Sequence, residues 1–436
     1  MTIRVHHIVD VLMTSILGCV VLSLVNFFYY LKGISLTPPI MAIVCFMGIY
    51  LLFEKVRIHN VNFQLWGIFN GIYFIIAYLA MLFYQEIHPK IDMPYNIRAY
   101  FYNLILVLVT YRYALFCIHR HRFAALVNLL TALFTLGSMT VIFAIPLGFY
   151  RFQYAILPPI LSIDRLAGIY FNPNAAGFNG NVTMIFGFAT LLRPGSPKLL
   201  GIIAIVAGVL AILVSFSKTA ILTFILSIGI LIWIYFLMYR KIDRPTRRVA
   251  NVMFAFIFYG LVQLGILIGV FFNDLSKQQQ QRIFQVETIL TGKADKSSTS
   301  NRVDLAELGV KKISERPLFG SGIFSFVQLL EAGNVTGDDV GVHNIFLRVW
   351  GEAGILPFCL FILFWVSAFW CAALIPTAWL RFLIFSIVLV LAFYSSTNHN
   401  ILEDNSIGII ISFICAGLVA QTQMSPDKPV QALSTL

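Results

Sequence analysis

The chain has 436 residues, of which 59% are apolar and only 11% are charged. Lysine and arginine outnumber aspartate and glutamate by 30 to 19, which gives a formal charge of +11. A soluble domain is about 25% charged, so this chain has too few charges to cover a soluble surface. The composition therefore excludes a soluble enzyme and a disordered chain, and it predicts a polytopic membrane protein.

Twelve apolar stretches approach or exceed the length of about 20 residues that a membrane helix needs. They are residues 11–31, 37–53, 63–84, 99–118, 124–148, 174–192, 199–215, 219–238, 250–272, 344–374, 378–397 and 405–422. The first is predicted to be a retained span, because it is too long for the apolar region of a typical signal peptide. The sequence therefore predicts an all-α fold with about 12 transmembrane helices.

These spans divide the chain into four regions. Residues 1–272 hold spans one to nine, and residues 344–422 hold spans ten to twelve. Residues 273–343 form one large polar loop, and residues 423–436 form a tail.

The large loop has two parts with different patterns. Its first part, from Gln278 to Ser300, is predicted to be mobile. Residues 303–313 have the spacing of an amphipathic helix, and Pro317 is expected to end that helix. The loop is thus predicted to be partly helical.

The short connections between spans carry most of their lysine and arginine on the side of the N-terminus. The positive-inside rule then places both termini in the cytoplasm and the large loop on the outer face. This pattern explains the basic excess better than a nucleic-acid partner does. The six cysteines all lie in apolar runs, so they indicate neither a disulfide framework nor a metal site.

Polar segments that are far apart in sequence fall on this same outer face. They are residues 164–174, 215–219, 300–302, 316–322, 342–344 and 398–405. Polar groups near membrane depth are costly and need a partner or a function. Their convergence predicts a site at the outer membrane surface.

Three cations of this face suit a lipid-linked phosphate or diphosphate. Lys218 lies in a very short turn between two spans, Arg302 opens the amphipathic helix, and Arg165 follows Asp164. Arginine binds phosphate oxygens as a fork and lysine binds them as a point charge. The alternatives are that Lys218 reaches toward the lipid headgroups, that Arg302 is a solvated surface residue, and that Arg165 pairs with Asp164.

His343 lies where the polar loop meets an apolar span. An imidazole has an ordinary pKa of about 6.5, so it can act as a base near neutrality. The alternative is a histidine held by a backbone carbonyl at a helix start. Asn172 and Asn174 flank Pro173, and this pattern is also typical of a turn and a helix cap. His399 has a weaker case, because Asn398 and Asn400 indicate a simple polar turn.

A divalent metal is the competing chemistry for this face. His343, His399, Asp404 and the pair Asp338-Asp339 could gather around an ion, but they show no established ligand spacing. We therefore predict no metal and no cofactor.

Four motifs together resemble the bacterial O-antigen ligase and O-antigen polymerase superfamily. His343-Asn344, followed after nine residues by Gly354, resembles the family signature after its large periplasmic loop. The other three are Ser300-Asn301-Arg302 with Arg316-Pro317-Leu318-Phe319-Gly320-Ser321-Gly322, then Phe171-Asn172-Pro173-Asn174, and Ser215-Phe216-Ser217-Lys218-Thr219. The family usually has arginine at the position of Lys218.

The resemblance implies an architecture like that of class C glycosyltransferases, in the bacterial inner membrane. The activity it implies is metal-independent transfer of O-antigen polysaccharide from undecaprenyl diphosphate to a sugar hydroxyl of lipid A–core, with membrane lipids around the site. His343 would be the general base, and Lys218 and Arg302 would bind the diphosphate. The implied substrate-binding residues are Arg165, Asn172, Asn174, Asn344, His399 and Asp404.

Three other functions compete with a ligase. An O-antigen polymerase shares the motifs, and a protein O-oligosaccharyltransferase is a related possibility. A flippase or transporter is less favoured, because it would need charged or interrupted helices at mid-membrane, whereas the predicted polar residues lie at one end of the spans.

Overall fold

A computed structural model describes residues 2–54, 60–84, 93–156, 163–238, 244–270, 272–292, 302–326, 342–398 and 402–423. Within these ranges the chain forms sixteen α-helices and two single-turn 3₁₀ helices, at Gly168–Tyr170 and Phe272–Asp274. The chain is therefore helical where it is described, as the apolar periodicity predicts.

The first ten helices are α1 (Thr2–Val21), α2 (Leu24–Lys32), α3 (Thr37–Phe53), α4 (Val61–Tyr84), α5 (Met93–His119), α6 (Phe123–Ile142), α7 (Pro173–Leu192), α8 (Lys198–Ser215), α9 (Lys218–Met238) and α10 (Arg244–Val270). The remaining six are α11 (Lys277–Leu290), α12 (Arg302–Glu315), α13 (Ile345–Ala353), α14 (Ile355–Ala373), α15 (Ala378–Ser395) and α16 (Asn405–Gln423).

Eight helices of the described ranges are long and apolar enough to cross a membrane, or nine if α1 and α2, bent by 62°, form one span. Two apolar helices are shorter, namely α3 and the apolar part of α16. The chain is thus a polytopic membrane protein, and the exact number of twelve spans remains a prediction.

The tenth span is shorter than the predicted residues 344–374, since Ile355–Ala373 is the part that is long and apolar enough to cross a membrane. Two helices occupy the predicted range, α13 and α14, and they meet at Gly354, whose φ is 81° and ψ is −171°. A residue with this backbone ends one helix and starts the next, and the left-handed φ favours glycine. The break is not visible in the hydropathy pattern, because the residues on both sides of Gly354 are mostly apolar. The fifth span is also shorter than predicted, since α6 ends at Ile142 and turns follow.

Helix α7 lies at the centre of the bundle and is almost entirely buried. It packs closely on α8, because a Cβ on Gly180 would lie 2.8 Å from the carbonyl oxygen of Gly208, and a Cβ on Gly201 would lie 2.9 Å from that of Gly187. Small residues of this kind let two membrane helices approach each other. Asn181 Nδ2 also donates to the carbonyl of Ala220 in α9 at 3.1 Å. The middle of α7 is therefore held beside the start of α9.

Helix α4 supports a second group of elements. Its Phe69 ring packs on Phe361 of α14 with ring centroids 4.9 Å apart. The segment 317–326 lies against the same helix, because Ile323 N donates to the carbonyl of Ala77 at 2.9 Å. The large loop is thus anchored to the membrane bundle at this point.

Candidate functional site

A first polar group forms at the start of α7. Arg165 Nη2 donates to Asn174 Oδ1 at 3.3 Å, and Ser217 Oγ donates to the same oxygen at 2.8 Å. Lys218 follows Ser217 directly and begins α9. The structure therefore brings together two of the segments that the sequence placed on one face.

The local fold explains why these residues meet. Asn172 caps α7, since its Oδ1 accepts a hydrogen bond from Asn174 N at 2.9 Å, and Pro173 occupies the first helical position. Leu166 N donates to the carbonyl of Val214 at 3.1 Å, which joins the segment before α7 to the end of α8. Asn172 thus forms the helix cap, which was the alternative interpretation of its sequence pattern. Its contact with substrate remains a prediction.

The first group carries Arg165 and Lys218, and the helix that holds Arg282 is tied to it through Asp164. Burial, and then the neighbouring charge of Arg282 in α11, lower the pKa of Arg165 to about 10. Burial also lowers the pKa of Arg282. Arg165, with a pKa of about 10, stays charged at neutral pH. Arg165 donates to the neutral amide of Asn174, and among the described residues it forms no ion pair with Asp164, which was the alternative from the sequence.

A second polar group surrounds the start of α13. Val342 N donates to the carbonyl of Phe326 at 3.2 Å, and Asn344 caps α13 through its Oδ1, which accepts from Phe346 N at 2.9 Å and Leu347 N at 3.2 Å. His343 lies between these two anchored residues and is half-buried. The backbone on both sides of the predicted base is therefore fixed.

A buried charge network lies one turn beyond His343. Arg348 donates through Nη1 and Nη2 to the two carboxylate oxygens of Glu403, at 3.0 and 2.6 Å. Its Nε donates to Glu352 at 3.0 Å, and the other Glu352 oxygen accepts from the hydroxyl of Tyr73 in α4. Such two-pronged arginine–carboxylate pairs fix geometry strongly. The network joins α13 to α4 and to the turn before α16.

The Pro-Leu-Phe-Gly-Ser-Gly motif packs onto the end of α13. Ser321 N donates to the carbonyl of Gly351 at 2.7 Å, and Gly322 N donates to that of Glu352 at 3.0 Å. Ile355 N donates to the carbonyl of Pro317 at 3.1 Å. The motif thus stabilises the end of the helix that follows His343.

Asp404 caps helix α16, directly after Glu403 of the charge network. Its Oδ1 accepts from Ser406 N at 2.9 Å and Ile407 N at 3.3 Å, and burial raises the pKa of its carboxyl. Burial first, and the charge of Asp404 second, raise the pKa of Tyr170, which lies two residues before Asn172.

Several predicted site residues cannot be placed. Arg302 begins α12, but its side chain lies outside the described structure, and so do His399, Asp338 and Asp339. In the part of the chain that the structure describes, no group of three or more His, Cys, Asp or Glu side chains could hold a metal ion. The metal-independent reaction remains a prediction.

Four contributing residues were missed by the sequence reasoning. Arg348 and Glu352 stand four residues apart in a predicted apolar span, and such charges are costly in a membrane unless paired, so this signal was available. Arg282 was missed because its segment was predicted to be mobile, whereas residues 277–290 form α11. Tyr73 gave no signal, because a tyrosine in a membrane span is ordinary.

These observations define a polytopic helical membrane protein with charged residues gathered where loops meet helices. Residues 203–362, from within α8 to within α14, match the family model described as O-antigen ligase. This match supports membership of the O-antigen ligase superfamily and confirms the resemblance seen in the motifs. It covers somewhat more than a third of the chain and includes Lys218, Arg302 and His343. No curated protein matches the chain.

Proposed function

We propose that this protein is an O-antigen ligase of the bacterial inner membrane. It transfers O-antigen polysaccharide from undecaprenyl diphosphate to a sugar hydroxyl of lipid A–core at the periplasmic face. The observation that carries the proposal is the O-antigen ligase match over residues 203–362, because this range holds all three residues assigned to the chemistry. The anchored backbone around His343 supports the same assignment.

The reaction is a displacement at the anomeric carbon of the donor sugar. His343 takes the proton of the acceptor hydroxyl while that oxygen forms a bond to the anomeric carbon. The bond from this carbon to the phosphate oxygen breaks, and undecaprenyl diphosphate leaves with the electron pair. Direct displacement of this kind inverts the anomeric carbon.

Lys218 and Arg302 hold the diphosphate in this proposal. Fixed cations stabilise the negative charge that develops on the leaving group without reorganising during the reaction. A diphosphate is already a good leaving group, so no strong acid and no metal or other cofactor is required. The contact of Ser217 with Asn174 supports this role for Lys218, because it fixes the turn that begins α9.

The other predicted residues have supporting roles. Arg165 and Asn174 lie beside the Lys218 turn and are assigned to donor binding. Asn172 and Asn344 set the starts of α7 and α13 through their caps. His399, which lies outside the described residues, and Asp404, which caps α16, are also assigned to substrate binding.

Transfer assays with purified protein test the proposed reaction. Wild-type protein should move a labelled glycan from undecaprenyl diphosphate to lipid A–core, with or without a chelator and without an ion gradient. Lengthening of lipid-linked repeat units without transfer to lipid A–core would instead identify a polymerase, and transfer to a polypeptide would identify a protein O-oligosaccharyltransferase. Loss of transfer on chelation would contradict the metal-independent mechanism, and the absence of any transfer would favour a transporter.

A further inference from the structure

Two arginines from separate elements lie near the start of α7, because Gln279, one turn before Arg282, donates to the carbonyl of Asp164, the residue before Arg165. Arg165 is 9% exposed, and its Nε is buried without a hydrogen-bond partner in the described ranges. Its Nη2 reaches the neutral oxygen of Asn174 at 3.3 Å, which is long for a charged donor. In the described part of the chain, neither Arg165 nor Arg282 forms an ion pair with a carboxylate.

Helix α11 holds Arg282 in this position. Ser276 and Gln279 form a capping box that starts the helix, and Gln279 Nε2 donates to the carbonyl of Asp164 at 3.0 Å. Arg282 follows Gln279 by three residues and therefore lies on the same helix face. The hydrogen bond that ties α11 to Asp164 thus directs Arg282 toward Arg165, and Arg282 is itself half-buried.

Arg348 provides a comparison, because it is a buried arginine with a structural role. Its guanidinium is 1% exposed and makes three hydrogen bonds to the carboxylates of Glu352 and Glu403. A buried charge normally has such partners, because its desolvation is otherwise uncompensated. The like-charged pair of Arg165 and Arg282 lacks them, so it is unfavourable in the empty protein. An anion bound between the two guanidinium groups would give both charges a partner and make their burial favourable.

We propose that Arg165 and Arg282, with Asn174 and Ser217 beside them, bind the phosphate groups of a lipid diphosphate. The inference rests on the proposed function, and it adds Arg282 and helix α11 to the donor site. Two guanidinium forks match the oxygens of two linked phosphates. Ser217 adjoins Lys218, so this pair is continuous with the cation already assigned to the diphosphate.

Other phosphates at a membrane surface share this chemistry. The phosphates of lipid A and the headgroup of phosphatidylglycerol are the two competing sources. The test therefore measures binding of undecaprenyl diphosphate, without glycan, to full-length protein in nanodiscs of zwitterionic lipid. Lipid A and phosphatidylglycerol serve as separate competitors.

The variants are R165Q and R282Q, with K277Q as the matched control. Lys277 is exposed on the same helix as Arg282, so its replacement removes one positive charge without touching the pair. R165Q and R282Q should each weaken binding about tenfold or more, as expected for loss of a charge-assisted hydrogen bond, and K277Q should stay within about twofold. Equal binding by R282Q and wild type, equal loss in K277Q, or equally tight binding of either competitor would overturn the proposal.

Thermal melting of the ligand-free variants separates a binding role from a structural one. R165Q and R282Q should melt at the wild-type temperature or above, because each removes a like-charge contact. Undecaprenyl diphosphate should raise the melting temperature of wild type more than that of either variant. Lower melting of both empty variants would mean that the arginines serve the fold, and it would overturn the proposal.

The outcome is separable from that of the proposed function, because binding requires no glycan transfer. Protein that binds the lipid diphosphate through these arginines but transfers no glycan would refute the ligase and keep the site. Protein that transfers glycan while R282Q binds normally would refute the site alone.

Discussion

Arg348 and Arg165 are both almost completely buried, but their surroundings differ. Arg348 joins Glu352 and Glu403 in a closed network one turn beyond His343, and its backbone N donates to the carbonyl of Asn344 at 3.0 Å. This network holds the helix that follows the predicted base. Arg165 has a neutral amide partner and a second arginine beside it. The first arginine is thus suited to positioning, and the second to binding an anion.

Replacement of Arg348 tests the positioning role. Arg348→Gln leaves Glu352 and Glu403 buried without their cation, which costs about 3–5 kcal/mol. The purified variant should therefore melt well below wild type. Arg151→Gln is the control, because Arg151 is exposed in the turns after α6, and it should melt as wild type does. An unchanged melting temperature for the Arg348 variant would show that the network does not stabilise the protein.

Several residues of this site could be predicted from the sequence alone. The cap pattern at Asn172 and the short turn that holds Lys218 marked segments that the structure brings into contact through Asn174. Arg282 could not be predicted in this way, because the glutamine run before it has no apolar periodicity that would indicate a helix. Its helix is instead started by the Ser276–Gln279 capping box and fixed by a tertiary hydrogen bond to Asp164.

At the scale of elements, the short helix α13 is held at both ends. Asn344 caps its start, and the segment 317–322 packs against its end. Gly354 makes this contact possible, since a Cβ there would overlap the carbonyl oxygen of Leu318. Sequence hydropathy predicted most of the apolar helices, but it could not show a break between two apolar helices that depends on the conformation of one glycine.

Gly354→Ala should disturb this junction. Alanine is strained at a φ of 81°, and its methyl group would push the 317–322 segment away from α13. We expect a loss of stability of more than about 1 kcal/mol and a lower transfer rate, because the same junction supports His343. Melting and transfer assays measure the two effects.

Gly229→Ala is the matched control for this substitution. Gly229 lies within α9, and nothing lies within 4 Å of a Cβ built there. Alanine in such a helix position should be neutral or stabilise the protein by up to about 1 kcal/mol. Equal behaviour of the two variants would contradict the proposed role of Gly354.

At the scale of the whole molecule, a central buried helix organises the site. Helix α7 aligns the start of α9 through Asn181 and Asn174. The starts of these two helices therefore lie together at Asn174 and Ser217, and helix starts favour anions. The apolar composition predicted the bundle, but its close α7–α8 packing was not predicted, because it depends on glycines that meet only in the folded chain.

The central claim is that this bundle transfers a glycan from a lipid diphosphate with His343 as the base. The most direct measurement is the rate of transfer to lipid A–core by purified wild type, His343→Ala and His119→Ala, with melting temperatures as a check on folding. His119 is an exposed histidine at the end of α5 and serves as the control. The account predicts that His343→Ala loses about 10²–10⁴-fold in rate while it melts normally, and that His119→Ala transfers as wild type does. Wild-type transfer by a folded His343→Ala protein would contradict it.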